Sequence, residues 1–251
     1  MIIIKNNFQI KEIRKSCKLA AKCLEIVEPY VKPGVTTNYL NEIVADFIKK
    51  NNAIPAPLNY RGFPKETCIS VNEVICHGIP SERILEEGDI LNIDVTVILN
   101  GFYGDTSKMF CVGEVSENCK NLMKASKDSL YIGIKSVSPN VPFNRIGYEI
   151  TNNLKNSNYS IVDKFVGHGC GLHFHEDPKI CHYVEEKIKD FGQKIQPGMI
   201  FTIEPMINEG VADCLILEDE WTAITADKKL SAQYEHMILC TSNGYEILTE
   251  L

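Results

Sequence analysis

Residues 90–110 read ILNIDVTVILNGFYGDTSKMF, and this stretch decides the fold more than any other. Two strand-like runs flank the Asn-Gly pair at positions 100 and 101, which is preferred in two-residue type I′ hairpin turns. Such a turn places Asp105 opposite Thr96, and Asp94 shares the face of Thr96 because side chains alternate along a strand. We therefore predict a β-hairpin that carries Asp94 and Asp105 as diagonal neighbours, able to converge on one cation.

The pattern of this hairpin returns in the second half of the chain. Residues 88–94, GDILNID, and residues 198–204, GMIFTIE, share the form G-x-I-x-x-I followed by an acid, at a shift of 198 − 88 = 110. Apolar residues at helical spacing precede both, along residues 10–31 and 119–137, and Lys32-Pro33-Gly34 and Ser138-Pro139-Asn140 end these stripes. Two matches at nearly one offset indicate an internal duplication.

The duplicated unit of about 110 residues is far longer than a solenoid repeat and occurs twice. We predict an α+β fold with pseudo-two-fold symmetry, in which helices cover the outer face of a curved, mainly antiparallel sheet. The predicted organisation is a single catalytic domain over residues 1–251, with halves at about 1–115 and 116–251.

Composition narrows the class of protein. The chain has 251 residues, of which 44% are hydrophobic, and a formal net charge of −7, which argues against DNA as a partner. No apolar run approaches the roughly 20 residues of a membrane helix, and the N-terminus lacks a signal sequence. Ten scattered cysteines without a C-x-x-C pair fit a reducing compartment. We therefore predict a cytoplasmic protein without a membrane partner.

Acidic residues in the second half strengthen the case for a metal site. Glu204 stands where Asp94 stands in the first half, and Glu235 lies in another strand-like run, Tyr234 to Cys240. A solvated polar face is the alternative for a lone pair of strand aspartates. Four carboxylates sharing one cleft would raise one another's pKa, so a shared site implies a cation. Oxygen-rich ligation with one imidazole favours manganese, iron or cobalt over a thiolate zinc site.

The imidazole candidates come from six histidines. His77 lies in CHGIP, His168 lies between glycines in GHGCG, and His175 precedes Glu-Asp-Pro. Glycines beside a histidine let the backbone approach a ligand closely. We interpret His182 and His236 as structural residues, with His236 on the strand face opposite Glu235.

Eight blocks of sequence, in order along nearly the whole chain, resemble the type 1 methionine aminopeptidases, which are dinuclear-metal enzymes of the pita-bread fold. The blocks are NYRGFPK at 59–65, SVNEVICHGIP at 70–80, NIDVTV at 92–97, GDTSKMF at 104–110, GHG at 167–169, FHE at 174–176, FTIEPM at 201–206 and SAQYEH at 231–236. The resemblance implies removal of the initiator methionine from nascent proteins whose second residue is small.

The resemblance also implies residue roles. Two divalent ions, chosen from Co, Mn, Fe(II) and Zn, would be held by Asp94, Asp105, His168, Glu204 and Glu235. Asp105 and Glu235 would bridge the ions, and Glu204 would act as general base. His175 would stabilise the oxyanion, and His77 would hydrogen-bond the substrate near the scissile amide.

Further expectations from the resemblance concern the substrate and partners. The methionine pocket would comprise Tyr60, Phe63, Cys68, Phe174 and Trp221, together with His77 and His175. One monovalent cation, Na or K, would bind at Asn72, Val74 and Ser231. The expected partners are the N-termini of nascent polypeptides, with the ribosome as a further candidate, and the expected state is a monomer.

Some residues depart from the family's pattern. Arg61 replaces a histidine, Cys170 and Leu172 replace isoleucine and arginine, and His173 adds an imidazole beside the pocket. Two rival interpretations are a proline-specific aminopeptidase or dipeptidase and a catalytically dead binding module of the same fold. The first would need an extra N-terminal domain for which the sequence before Tyr60 leaves no room, and the second would be expected to lose ligands.

Overall fold

The computed structural model describes residues 1–184 and 190–251. Within these residues the α-helices are α1 (Asn7–Val27), α2 (Thr37–Lys50), α3 (Glu117–Lys135) and α4 (Asn144–Leu154). Short 3-10 turns cover Glu28–Tyr30 and Tyr60–Gly62. None of the described helices is long and apolar enough to cross a membrane.

The strands of the first half and the early second half are β1 (Ile54–Pro55), β2 (Cys68–Val71), β3 (Val74–Cys76), β4 (Ile90–Leu99), β5 (Phe102–Cys111), β6 (Ser160–Ile161), β7 (Gly167–Gly169) and β8 (Glu176–Ile180). Those that follow are β9 (Ile200–Ile203), β10 (Met206–Asn208), β11 (Cys214–Ile216), β12 (Ala223–Thr225), β13 (Ser231–Gln233), β14 (His236–Thr241) and β15 (Gly244–Ile247). All pairings among these strands are antiparallel.

The predicted hairpin forms with the predicted register. Strands β4 and β5 pair along their whole length, with Thr96 opposite Asp105. Asn100 and Gly101 have φ values of 53° and 82°, the left-handed values that a type I′ turn requires at both central positions. Local turn chemistry therefore sets the positions of Asp94 and Asp105 on one face.

A second sheet in the order β15-β14-β9-β7-β8 holds the repeated G-x-I-x-x-I strand, β9. An isolated bridge between Ser107 and Glu235 joins the hairpin to this half of the molecule. Helix α1 packs on β4 and β5, while α3 packs on β9, β10 and β13. The predicted α+β architecture, with helices on the outside of antiparallel sheets, is confirmed.

The hydrophobic core follows the same division. One cluster joins α1 and α2 to the inner residues of β4, including Leu24, Val44 and Ile93. A second joins α3 and α4 to β9 and β14, including Ile134, Ile150 and Phe201. Each of these two clusters packs a helix pair against its sheet, so burial of the helical stripes fixes the sheets from which the acidic side chains project.

The first helix ends earlier than its apolar stripe predicts. The stripe continues to Val31, whereas α1 stops at Val27 and a 3-10 turn follows. Pro29 has no backbone N–H to continue the hydrogen-bond ladder, so the helix cannot extend through this residue. The proline was the sequence signal for this boundary.

Helix α1 contacts the hairpin most closely at Gly104. A Cβ atom at this position would lie 2.3 Å from the carbonyl carbon of Ser16 and 2.4 Å from the backbone N of Cys17. Because backbone atoms cannot move aside as a side chain can, only glycine permits this approach. The adjacent residue is Asp105, so the contact also fixes one candidate ligand.

We expect Gly104→Ala to lower the free energy of unfolding by about 1–3 kcal/mol, because α1 and β5 must separate. Chemical denaturation measures this change. Gly133→Ala is the matched control, since its new methyl group would meet only the side-chain ends of Ile146, Ile150 and Ile203 at 3.1–3.2 Å. Equal stability of the two variants would contradict the packing argument.

Candidate metal centre

Strand ends and neighbouring turns bring four carboxylates into one cleft. Asp94 and Asp105 project from the hairpin, Glu204 directly follows β9, and Glu235 lies between β13 and β14. Ligand atoms of Asp94, Asp105 and Glu235 lie within 4.8 Å of one another. Those of His168, Glu204 and Glu235 form a second such group. All five residues that the sequence predicted as ligands therefore meet, in two groups that share Glu235.

The imidazole of His168 is oriented by its own backbone neighbour. Its Nδ1 lies 3.0 Å from the carbonyl oxygen of Gly169, so Nδ1 carries the proton and donates it. Nε2 then carries an available lone pair, and this atom lies 3.8 Å from Asp105 Oδ2 and 3.7 Å from Glu204 Oε1. Burial lowers the pKa of His168 to about 4, which keeps the ring neutral and able to ligate a metal.

Two threonines and a glutamine hold the carboxylates in place. Thr96 Oγ1 donates to Asp105 Oδ1 at 2.7 Å, and Thr202 Oγ1 donates to Glu204 Oε1 at 2.6 Å. Gln233 Nε2 lies 3.3 Å from Glu204 Oε2. Neither Thr202 nor Gln233 was predicted as a site residue, although Thr202 stands two residues before Glu204 and therefore points to the same strand face.

His182 is a further positioning residue that the sequence did not reveal. Its Nε2 accepts a hydrogen bond of 3.1 Å from the backbone N–H of Glu204. His236 instead turns away from Glu235, packs on Tyr131 and approaches Thr249 Oγ1 at 2.8 Å. These contacts agree with structural roles for both histidines, but His182 also fixes the backbone of a candidate ligand.

The electrostatics of the carboxylates match a cation site. Burial raises the pKa of Asp105 to about 7 and that of Glu204 to about 8. Burial, reinforced by repulsion from Asp105 and Glu204, raises the pKa of Asp94 well above its ordinary value. The same causes raise the pKa of Glu235. Four oxygen donors and one imidazole nitrogen, buried and mutually repelling, fit divalent ions such as manganese, iron or cobalt.

We expect metal-stripped protein to lose thermal stability as pH rises. Carboxyl groups whose folded pKa exceeds their unfolded value stabilise the fold below the unfolded pKa, and this contribution is lost as pH rises through the folded pKa. The melting temperature should therefore decrease as the pH rises from about 5 to about 9.

Glu204→Gln is the comparison variant for this experiment, because it removes one raised pKa and should flatten the pH dependence. Added manganese should raise the melting temperature more at the alkaline end, where the carboxylates are ionised. A metal-free melting temperature that rises toward alkaline pH would contradict the assignment.

A cavity of about 600 Å³ opens directly over the carboxylates. The predicted pocket residues all line it: Tyr60, Phe63, Cys68, His77, Phe174, His175 and Trp221. The rings of Phe63 and Trp221 meet edge to face at 5.2 Å, and those of Tyr60 and Phe174 lie 4.8 Å apart. The cavity thus has an aromatic wall beside a polar floor.

Two neutral imidazoles face the cavity on either side of the ligands. The His175 ring lies 4.1 Å from that of His168 and stacks on Tyr60 at 5.3 Å. Burial and the neighbouring His168 lower the pKa of His175 to about 3, and burial lowers that of His77. His77 has a φ of 56°, a strained backbone value of the kind that concentrates at functional sites.

The residues that depart from the family's pattern take different positions. Arg61 lines the cavity, with its guanidinium 5.4 Å from the ring centroid of Tyr60. The backbone N–H groups of Leu172 and His173 both donate to Glu176 Oε1, at 2.7 and 2.9 Å. Arg61 therefore adds positive charge to the cavity, whereas Leu172 and His173 belong to a loop anchored by one carboxylate.

That anchoring carboxylate forms a buried ion pair. Lys5 Nζ lies 2.6 Å from Glu176 Oε2, and the two side chains are 1% and 2% exposed. Removing one partner of a buried pair leaves an uncompensated charge. The pair therefore secures the loop that carries Phe174 and His175.

We expect Glu176→Gln to cost about 3–5 kcal/mol in the free energy of unfolding, because Lys5 stays buried without its counter-ion. Denaturant titration measures the loss. Glu117→Gln serves as control, since the pair between Glu117 and Lys120 is exposed and solvent screens it. A loss for Glu176→Gln no larger than for the control would contradict a structural role of the buried pair.

Two of the three residues predicted to bind a monovalent cation, Asn72 and Ser231, lie close together. The backbone N–H of Ser231 donates to the carbonyl oxygen of Asn72 at 2.9 Å, and Val74 begins β3. The Oγ of Ser231 is buried without a hydrogen-bond partner among the described residues. An oxygen ligand in this state is compatible with a bound cation.

The chain was compared with known proteins. The model of metallopeptidase family M24 matches residues 11–242. A protein of Haemophilus influenzae named methionine aminopeptidase is 46% identical over 251 residues, which cover 99% of this chain and 92% of that protein. The solved structure of methionine aminopeptidase from Rickettsia prowazekii is 47% identical, with a TM-score of 0.96 and full coverage of both chains.

More distant similarity extends to other peptidases. A structure of prolidase from Pyrococcus furiosus matches with a TM-score of 0.79 at 23% identity, covering 99% of this chain and 66% of that one. At this identity the match shows a shared fold alone. The pita-bread architecture predicted from the sequence is confirmed by these superpositions.

Proposed function

The chain belongs to metallopeptidase family M24 and, within it, to the methionine aminopeptidases, and we propose that it removes N-terminal methionine when the second residue is small. It is thus a metal-dependent hydrolase. The observation that carries the proposal is a single cavity that combines an aromatic wall with the candidate ligands Asp94, Asp105, Glu204 and Glu235. Such a cavity can bind an apolar side chain beside a hydrolytic centre.

We propose that Asp94, Asp105, His168, Glu204 and Glu235 would hold two divalent ions, from Co, Mn, Fe(II) and Zn, with Asp105 and Glu235 contributing to both. Support comes from the two ligand groups, one containing Asp94 and the other containing His168 and Glu204, which both include Glu235. When bound, such ions acidify water and polarise a carbonyl group. One monovalent cation, Na or K, is proposed at the carbonyls of Asn72 and Val74 and at Ser231, whose buried Oγ has no hydrogen-bond partner among the described residues.

The aromatic wall is the proposed methionine pocket. Phe63 is buried and meets Trp221 edge to face, while Cys68 lies opposite Asp94 across the β2–β4 pairing. An unbranched thioether fits an irregular aromatic slot and gains sulfur–ring contacts. The methionine side chain would therefore lie against this wall, with its peptide group toward the carboxylates.

The chain's own residues supply the proposed proton transfers and hydrogen bonds. Glu204, a carboxylate whose charge a bound cation would stabilise, takes up the proton of the attacking water as general base. Thr202 and Gln233 hold its two oxygens in position. His175 donates a hydrogen bond to the developing oxyanion, and His77 to the substrate near the scissile amide.

We expect the stacked rings beside His168 to limit the second residue of the substrate. Tyr60, Phe174 and His175 form a continuous group in which the ring centroids are 4.4–5.3 Å apart. A large second side chain would compete with these rings for the same space.

The proposed substrates are N-termini of nascent polypeptides in the cytoplasm. The ribosome is a candidate docking partner, and the described site needs no second chain.

The test is release of methionine from Met-Ala-Ser and Met-Leu-Ser peptides by metal-stripped protein, after anaerobic addition of manganese, iron(II), cobalt or zinc. We expect metal-dependent cleavage of the alanine peptide and little cleavage of the leucine peptide. Asp105→Asn should reduce the activity by at least about 100-fold, because a bridging ligand is lost.

The control variant is Glu117→Gln, which removes an exposed charge outside the candidate ligands and the cavity lining and should leave the activity unchanged. Metal-independent cleavage, or full activity of Asp105→Asn, would contradict the metal assignment. Equal cleavage of the two peptides would contradict the proposed limit on the second residue.

A further inference from the structure

A thiol that the proposed mechanism does not use lies beside the metal centre. Cys170 follows β7, two residues after His168, and its side chain is fully buried. Its Sγ atom lies within 4.8 Å of a carboxylate oxygen of Asp105 and of a ring nitrogen of His168. The three side chains form a third group of potential metal donors, which overlaps the carboxylate centre.

The surroundings of Cys170 are apolar and rich in sulfur. It packs in a cluster with Ile13, Cys17, Ile200 and Met237. Met237 Sδ accepts a hydrogen bond of 3.1 Å from the backbone N–H of Asp105, and Cys17 Sγ lies 3.6 Å from Met237 Sδ. Asp105 therefore has the oxygen donors of the other carboxylates on its cavity side. The sulfur atoms, which are softer metal donors, lie on its opposite side.

Access to this thiol runs through the metal centre. Asp105 and His168 line the cavity, whereas Cys170 is absent from its lining and has no exposed surface. An ion that reaches the sulfur must first meet the carboxylate or the imidazole. This geometry favours a metal ion over a bulky thiol reagent as the species that reaches Cys170.

The donor types determine which ion fits. Thiolate, imidazole and carboxylate together are the ligand set that zinc accepts in four-coordinate sites, and cadmium shares the preference for sulfur. Manganese and magnesium prefer oxygen ligands and gain little from a thiolate. Because Asp105 belongs to one ligand group of the carboxylate centre and His168 to the other, an ion held by Cys170 would draw one ligand from each group.

We propose that Cys170, Asp105 and His168 form a soft-metal site for zinc-like divalent ions, overlapping the carboxylate centre, an inference that rests on the proposed function for Asp105 and His168. On binding, the Sγ–H bond breaks, the proton passes to water and the sulfur electron pair forms the bond to the ion. No oxidant or reductant is required. Occupation of this site sets the chain's metal preference toward thiophilic ions.

The test is a titration of the metal-stripped full-length protein with cadmium under anaerobic conditions, followed by ultraviolet absorption. Within the first two equivalents, the native protein should show the charge-transfer band of a cadmium–thiolate bond. Cys170→Ser and Cys170→Ala should lose this band and bind cadmium about 10- to 100-fold more weakly. Their affinity for manganese should stay unchanged.

Control variants separate this thiol from the others. Cys17→Ser changes a neighbouring buried thiol outside the three-donor group, and Cys111→Ser removes an exposed one. Both should keep the band. Circular dichroism of both Cys170 variants establishes that they fold, and the cadmium NMR shift of the native complex reports sulfur ligation without any substitution.

Two results would overturn the proposal: cadmium bound by the native protein without a thiolate band, or a band that persists in both folded Cys170 variants. Neither result bears on peptide hydrolysis. Methionine release by manganese-loaded protein is measured separately, so failure of the thiol site and failure of the proposed function are distinguishable.

Discussion

Repulsion among buried carboxylates is the constraint on which the rest of this structure depends. Asp105, Glu204 and Glu235 are 3%, 8% and 2% exposed, and their ligand atoms crowd the same few ångströms as those of Asp94. Such an arrangement persists only where neighbouring elements over-determine it. The hairpin, the contact of Gly104 with α1 and the hydrogen bonds from Thr96 and Thr202 hold the carboxylates in this arrangement.

The hairpin shows what local chemistry can predict. An Asn-Gly pair determines a turn, the turn determines the register, and the register places Asp94 and Asp105 on one face. Glu204 could be predicted because its strand repeats the pattern of β4. Turn chemistry and the repeated strand pattern thus predict Asp94, Asp105 and Glu204. Glu235 was a candidate from its strand-like run, and His168 was selected among the histidines only by the resemblance to the family.

Other parts of the site depend on long-range packing and could not be predicted in this way. The pair between Lys5 and Glu176 joins residues 171 positions apart, and the bond from Glu204 N to His182 joins residues 22 positions apart. Cys170 stood out in the sequence only as a substitution. Its position behind Asp105 follows from the packing of α1 against the sheets.

The bridge between Ser107 and Glu235 has a consequence for how this chain can change over evolutionary time. It joins the hairpin to the second half of the chain beside the candidate metal centre. The chain before α3 contributes two carboxylates to that centre, and the chain after α3 contributes the other two. Neither part of the chain alone holds all five candidate ligands, so a substitution at the site in one part restricts the substitutions that the other part can accept.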